Sequence, residues 1–170
     1  SSGAKINFNG ADMTIGGTLK NDVSGTEINI EGSGNSTLSA SVSNEGIINI
    51  SSNTAITGGI TGTNGSTVID NNAVISVESA INQNIFNNKS GDVTVDSSTG
   101  SITTTGIISN AGTLTAYTDT LVAAEGITNT GILNLTDGET QSDISDVGGT
   151  INVYGDFTLS KTITDKTLVS

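Results

Sequence analysis

A motif of three residues recurs along the chain and constrains its fold more than any other feature. Each copy places an apolar residue on either side of a central Asn or Thr, and most successive copies start 18 to 22 residues apart. Repetition at a nearly fixed spacing of this size is typical of solenoids, in which each repeat is one structural unit. The seven copies are Ile6-Asn7-Phe8, Ile28-Asn29-Ile30, Ile48-Asn49-Ile50, Val93-Thr94-Val95, Leu114-Thr115-Ala116, Leu133-Asn134-Leu135 and Ile151-Asn152-Val153.

One interval in this series is longer than the others. Ile48 and Val93 are 45 residues apart, which leaves room for two periods and one missing copy. The missing copy lies either near Val68-Ile69 or at Ile75-Ser76-Val77. Of these two positions, the first is favoured.

A glycine usually precedes the motif, often as part of an Asn-x-Gly sequence. Because Asn and Gly tolerate positive φ angles, these sequences predict sharp corners in the chain. If corner and motif repeat together, all copies form one column, with Ile28, Ile48 and Leu133 above one another. The Asn-x-Gly corners are Asn44-Glu45-Gly46, Asn110-Ala111-Gly112 and Asn129-Thr130-Gly131.

The pattern between the motifs predicts an all-β fold. Two further apolar positions separate successive motifs, so each repeat contains three short strands bounded by Gly and Asn turns. Three strands in a coil of about 20 residues form one rung of a parallel β-helix. We therefore predict a right-handed parallel β-helix of about eight rungs, since the drifting period departs from the strict coil of left-handed forms. Residues 1–170 are one domain or a segment of a longer solenoid, and 80–89 leave the rod as a loop that carries Phe86.

Composition excludes several classes of function. The chain has no Cys and no His, so it lacks the usual zinc and haem ligands and the Cys–His or Ser–His nucleophile pair. Its 17 acidic and 5 basic residues give a net charge of −12, which argues against binding to nucleic acid. No apolar run is long enough to insert into a membrane. We expect no cofactor and no bound metal.

Two pairs of carboxylates are candidates for catalysis. A glycosidase needs two carboxyl groups that face one cleft. Asp92 and Asp96 flank one strand, and Asp143 and Asp146 lie beside a turn. Acids at strand ends in so acidic a chain are usually solvated charges, so we assign no catalytic residue and expect no enzymatic activity.

Calcium binding and ice binding are two further candidates. No calcium-loop motif is present, so a charged corner is favoured over a calcium site. Ice binding requires Thr-x-Thr on every rung, whereas Asn is the more frequent central residue here. The residues concerned are Asp137, Glu139 and Asp143 for calcium, and Thr103-Thr104-Thr105, Thr113 and Thr115 for ice. We expect a ladder of side-chain amides from Asn7, Asn29, Asn49, Asn134 and Asn152.

Residues 107–115 (IISNAGTLT) and 126–135 (GITNTGILNL) resemble coils of bacterial autotransporter passengers and of filamentous-haemagglutinin-like adhesins. The resemblance covers most of residues 6 to 159. It implies an extracellular protein, secreted or displayed on the bacterial surface, that acts as an adhesin, stalk or fibre. The implied partners are a host-cell or matrix receptor, a glycan, or neighbouring copies stacked end to end. Two alternatives stay open: a filament subunit that stacks through open β-helix ends, and a polysaccharide-degrading β-helix enzyme.

Overall fold

The computed structural model describes residues 3–69, 73–88, 91–95 and 99–165. They form an all-β, parallel solenoid of about 8 turns, with about 19 residues and three strands per turn. No α-helix occurs in these residues, and one 3-10 turn occupies Thr118–Thr120. The prediction of an all-β parallel solenoid is confirmed, and its right-handedness stays a prediction.

Twenty-one short strands make up the ladder in the described residues. In chain order they are β1 (Lys5–Asn9), β2 (Thr14–Ile15), β3 (Thr18–Asn21), β4 (Glu27–Glu31), β5 (Asn35–Leu38), β6 (Ser41–Asn44), β7 (Ile47–Ile50), β8 (Asn53–Ile56), β9 (Ile60–Ile69), β10 (Val74–Val77), β11 (Ala80–Asn87), β12 (Asp92–Val95), β13 (Ser101–Thr104), β14 (Ile108–Asn110), β15 (Thr113–Tyr117), β16 (Leu121–Ala123), β17 (Ile127–Asn129), β18 (Ile132–Glu139), β19 (Ile144–Asp146), β20 (Thr150–Thr158) and β21 (Ile163–Asp165).

The strands are arranged in three faces along the rod. The first face has the order β1-β4-β7-β9-β11-β14-β17-β19-β21, and the second has the order β2-β5-β8-β10-β12-β15-β18-β20. The third face contains β3, β6, the starts of β9 and β11, and then β13 and β16. Each strand pairs in parallel with the equivalent strand of the next turn, so a residue lies above its counterpart from the turn before.

The core follows from the two-residue period of a β-strand. In β7, Ile48 and Ile50 point inward and are fully buried, while Asn49 between them faces outward. Pairing in register places Ile28 against Ile48, so like side chains stack on like. One hydrophobic cluster of buried Ile, Leu, Val and Ala residues therefore continues along the inside of the rod.

The motifs lie in two columns, so the prediction of a single column is wrong. Ile28 pairs with Ile48 on the first face, as expected, but Leu133 pairs with Leu114 and Ile151 on the second. The 45-residue interval exceeds two turns of about 19 residues, and the excess moves the motif from the first face to the second.

Both positions considered for the missing copy are strands. Val68 pairs with Asn49 and continues the first-face series, whereas Ser76 pairs with Thr94 and belongs to the second-face series. Each face therefore has its own column of motifs through the middle of the rod, and neither position alone is the missing copy.

The prediction that residues 80–89 form a loop is wrong for its described part. Ala80–Asn87 form β11, which pairs with β9 on one side and with β13 and β14 on the other. The extra length is accommodated because β9 and β11 continue around the corner from the third face to the first, with a register shift between them. Phe86 is half-buried within this strand, and Lys89 lies outside the described residues.

The glycines of the Asn-x-Gly corners do not adopt positive φ angles, so the prediction that they do is wrong. Glycine is needed at these corners because the backbones pack closely. Gly46, Gly112 and Gly131 do not belong to the glycines with positive φ. A Cβ atom on Gly131 would lie 2.1 Å from the carbonyl oxygen of Gly112. A Cβ atom on Gly112 would lie 2.1 Å from the carbonyl oxygen of Gly91. Successive corners therefore touch backbone to backbone, which leaves no room for a side chain.

Candidate functional site

The carboxylate pairs considered for catalysis do not converge where the structure describes them. Asp143 is exposed, and its Oδ1 accepts a hydrogen bond from the backbone N–H of Thr162 at 2.9 Å. Asp146 points into the core and is only 7 % exposed. The two carboxylates therefore face opposite sides of the strand. Asp92 is exposed on the second face, and Asp96 lies outside the described residues.

The residues considered for calcium do not form a metal cluster. Asp137 uses one carboxylate oxygen to accept a hydrogen bond from the backbone N–H of Asp156 at 2.8 Å. Glu139 and Asp143 are exposed at separate positions. Within the described ranges, no group of three or more acidic side chains is placed to hold a metal ion.

The threonines considered for ice binding do not form continuous rows. Thr104 points inward, and its hydroxyl donates to Oδ1 of Asn84 at 3.1 Å. Thr113 lies on the second face between Asp92 and Ile132 in the neighbouring turns. A carboxylate and an aliphatic side chain thus interrupt the column of which Thr113 is part.

The predicted amide ladder is confirmed, in two separate parts. On the first face, Nδ2 of Asn29 donates to Oδ1 of Asn7 at 2.7 Å, and Asn49 donates to Asn29 at 2.8 Å. On the second face, Asn152 donates to Asn134 at 2.9 Å. The ladder is divided because the motifs themselves lie in two columns.

A buried ladder that the sequence analysis missed runs inside the second half of the rod. Asn87 donates to Asn110 at 2.8 Å, Asn110 to Asn129 at 2.8 Å, and Asn129 to Asp146 at 2.6 Å. We call these four residues the C-terminal amide ladder. Each Nδ2 donates toward the next turn, so the ladder needs an acceptor at its far end. The carboxylate of Asp146 has acceptors only and supplies that end.

The buried amides also hold the corners, which gives the Asn-x-Gly sequence its physical meaning. Nδ2 of Asn129 donates to the carbonyl oxygen of Gly131 at 3.2 Å. Nδ2 of Asn44 donates to that of Gly46 at 3.0 Å, and the N–H of Gly46 donates back to Oδ1 of Asn44 at 3.3 Å. The Asn-x-Gly sequence was therefore a signal for an inward amide.

A second buried ladder occupies the corner between the third and first faces. Asn21 donates to Oδ1 of Asn44 at 2.7 Å, and Asn44 donates to Oε1 of Gln83 at 3.0 Å. One turn of the solenoid lies between Asn44 and Gln83, and its residue at this position is Gly62, which has no side chain. The Gln83 side chain is long enough to reach Asn44 past this glycine. Its Oε1 also accepts a hydrogen bond from Thr67 at 3.1 Å.

Several acidic residues stabilise turns of the neighbouring rung. In three places an aspartate Oδ1 accepts the backbone N–H of the residue that follows a glycine one turn later. These bonds join Asp12 to Asn35 at 2.9 Å, Asp119 to Glu139 at 3.0 Å and Asp137 to Asp156 at 2.8 Å. Asp12 and Asp137 are also the two non-glycine residues with positive φ in the described chain. The signal in the sequence is an aspartate followed, one turn later, by Gly-x.

Glu45 holds a turn in the same manner. Its carboxylate accepts hydrogen bonds from Nδ2 of Asn64 at 2.9 Å and from the backbone N–H groups of Asn64 and Thr63 at 3.2 Å each. The Asn64 side chain, followed by these backbone donors, lowers the pKa of Glu45 below its ordinary value because each bond favours the ionised form.

One exposed surface combines aromatic rings with carboxylates held in this way. Tyr117 pairs with Thr136, and Thr136 pairs with Tyr154, so the three side chains form one outward column on the second face. Tyr117 is 39 % exposed and Tyr154 is 54 % exposed. Three exposed aspartates occupy the adjoining corner in successive turns. The tyrosine–aspartate surface is defined as Tyr117, Thr136, Tyr154, Asp119, Asp137 and Asp156.

Comparison with protein-family models, with curated proteins and with solved structures gives no match to this chain. In the part of the chain that the structure describes, there is no helical segment with the length and hydrophobicity of a membrane span.

Proposed function

We propose that the chain is a non-enzymatic structural and adhesive segment of a secreted or surface-displayed bacterial fibre, of the kind found in autotransporter passengers. The observation that carries this proposal is the continuity of the first face, whose strands pair from β1 to β21. Eight turns that rise by the strand spacing give a rod on the order of 40 Å long. A rod of this kind is suited to act as a spacer that carries a binding surface away from a cell.

The chemistry of the side chains supports a structural role. Asp119, Asp137 and Asp143 accept backbone hydrogen bonds from the next turn, and Asp146 ends a buried ladder. These roles account for acidic residues at the corners without a catalytic site. The resemblance of residues 107–115 and 126–135 to passenger coils supports display at the surface of a Gram-negative cell, with a host receptor or glycan as partner.

Display can be tested on intact cells of the source bacterium. Antibodies raised against the folded chain should label the cells without permeabilisation, and external protease should remove the label. An antibody against a cytoplasmic protein serves as the control for intact membranes. Labelling that appears only after permeabilisation would contradict the proposal, as would release of reducing sugar from polysaccharides by the purified chain.

A filament subunit is the second candidate, and apolar side chains that are exposed in the outermost described turns are its candidate contacts. Ile6 is 42 % exposed at one end, and Leu159 is 58 % exposed near the other. An open depression of about 670 Å³, lined in part by Phe8, Met13 and Leu19, lies at the first of these ends. A second copy stacked end to end would cover these side chains and extend an open filament. Sedimentation at micromolar concentration and negative-stain microscopy distinguish long fibres, which support this candidate, from monomers, which contradict it.

A further inference from the structure

We propose that the tyrosine–aspartate surface binds a neutral, unbranched oligosaccharide that lies along the rod. This inference rests on the proposed adhesive function and names its ligand class. The chain has two tyrosines and no tryptophan, and both tyrosines lie in one outward column, exposed to solvent.

The spacing of the two tyrosines fits a chain of sugar rings. Tyr117 and Tyr154 are two turns apart, which corresponds to about 9.6 Å along the axis. This is the length of two pyranose rings in an extended oligosaccharide. Thr136 lies between the tyrosines and presents a small hydroxyl rather than a bulky side chain, so a sugar chain can pass over it and contact both rings. Tyr also has little rotational freedom to lose on binding.

The aspartates supply hydrogen-bond acceptors at matching intervals. Asp119 and Asp137 each use one oxygen to bind a backbone N–H of the next turn, and both are exposed. This bond holds the carboxylate in position and leaves its second oxygen as a further acceptor. Sugar hydroxyls are donors that suit such acceptors, and hydrogen bonds to a charged acceptor are stronger than those between neutral groups.

Charge determines which oligosaccharides fit. The surface contains three carboxylates and no basic residue, and the whole chain has a net charge of −12. Uronic acids and sulfated sugars would therefore be repelled. The ligand class is a neutral oligosaccharide, held by ring stacking and by hydrogen bonds to hydroxyl groups.

Isothermal titration of the full chain with three neutral hexasaccharides tests the inference. The probes are β-1,4-linked glucose, β-1,4-linked mannose and β-1,4-linked N-acetylglucosamine, with a hexasaccharide of galacturonic acid as the charged comparison. We expect saturable binding of at least one neutral probe, at least tenfold tighter than binding of the charged one. Absence of binding to all three neutral probes overturns the inference, and so does tighter binding of the charged probe.

Variants locate the site. Tyr117→Ala and Tyr154→Ala should each weaken binding at least tenfold, Tyr117→Phe should retain most of it, and Asp137→Asn should weaken it severalfold. Val74→Ala is the matched control, because Val74 is 53 % exposed on the same face but lies outside this surface. Circular dichroism should show the same fold in every variant. Binding that the tyrosine variants leave unchanged overturns the inference.

The two proposals fail separately. Surface labelling of cells without binding of a neutral oligosaccharide would retain the proposed function and reject this ligand. Binding of an oligosaccharide by a chain that external antibodies never reach would reject surface display and retain the ligand.

Discussion

The two halves of the rod solve one packing problem with opposite chemistry. At the last inward position of the first-face strands, the N-terminal half stacks Ile30, Ile50 and Ile69, all nearly fully buried. The C-terminal half continues the same column with the C-terminal amide ladder, which is also buried. The comparison shows that a parallel solenoid does not require an apolar side chain at each inward position. Either chemistry fills the position where the neighbours above and below match it.

The junction between the two chemistries shows the cost of a mismatch. Asn87 pairs with Ile69 on one side and with Asn110 on the other. Its Nδ2 donates to Asn110, but its Oδ1 is buried without a hydrogen-bond partner. The first amide of a ladder that donates toward the C-terminus lacks a donor below it, because an isoleucine provides none.

The change of column comes with a change in which face follows the Asn-x-Gly corner. In the N-terminal half, the corner at Asn44 and Gly46 precedes a strand of the first face. In the C-terminal half, the corner at Asn129 and Gly131 precedes a strand of the second face. The same short module of corner and strand therefore occupies positions one face apart in the two halves.

A buried charge should affect both halves most strongly. Ile48 and Leu133 are fully buried in the apolar columns of different faces, so Ile48→Asp and Leu133→Asp should each destabilise the rod by at least about 4 kcal/mol. Far-UV circular dichroism during urea titration measures the loss. A folded, soluble double variant would contradict the assignment of the core.

The same substitution at two positions of the column that runs through both halves tests how the neighbouring side chains determine its cost. Ile50→Asn introduces an amide between two isoleucines and should cost about 3 to 5 kcal/mol through lost packing and an unpaired polar group. Ile69→Asn introduces the amide next to the unpaired Oδ1 of Asn87, so it should cost about 1 to 2 kcal/mol less. The difference in urea midpoint between the variants checks this. Equal costs would mean that the amide ladder gains nothing from extension by one turn.

Substitution of the corner glycines by alanine tests whether close backbone packing at the Asn-x-Gly corner is equally important in both halves. A Cβ on Gly46 would lie 2.3 Å from the carbonyl oxygen of Thr26, and one on Gly131 would lie 2.1 Å from that of Gly112. Gly46→Ala and Gly131→Ala should therefore each cost about 1 to 3 kcal/mol. Thermal unfolding measures these losses. Gly59→Ala is the control, since its nearest neighbour is 3.8 Å away, and a loss as large there would refute the role of close approach.

The smallest expected effect is on the pH dependence of stability, to which Glu45 contributes by holding a turn in the N-terminal half. Hydrogen bonds from Asn64 and Thr63 lower the pKa of Glu45 in the folded chain. The stabilisation is therefore complete above the ordinary value of 4.5 and is lost as the pH falls through the lowered folded value. Glu45→Gln should reduce stability slightly at pH 7, and this difference from the parent chain should shrink as the pH is lowered below 4.5. Melting curves over a series of pH values from 7 downward test this, and a loss that does not change with pH would contradict the role of the charge.

Much of the fold could be predicted because each turn of a solenoid is encoded by a short sequence pattern that repeats along the chain. The motif around Asn29 and Asn49 predicted strands that stack in register and an outer amide ladder, and both are present. The composition and the spacing predicted an all-β rod with three strands per turn, which the structure confirms. These features depend on neighbours one turn apart, so they repeat along the sequence.

The face occupied by each motif could not be predicted from the sequence. Leu133 and Ile48 have the same local pattern, yet they lie on different faces. A change of phase needs only a few extra residues, and β9 and β11 absorb them by continuing around a corner instead of forming a loop. A local sequence pattern does not show how many residues each corner contains, so it does not show which face the next motif occupies.

Composition and spacing are enough to establish that short strands separated by Gly and Asn corners form a parallel rod with an aliphatic interior. The folded arrangement is needed to tell which amides turn inward, as Asn110 does, and which remain at the surface, as Asn49 does. It is also needed to place Tyr117 and Tyr154 in one column. Hydrogen-bond partners in a ladder lie a full turn away, so the position of each polar side chain depends on how many residues every intervening corner contains.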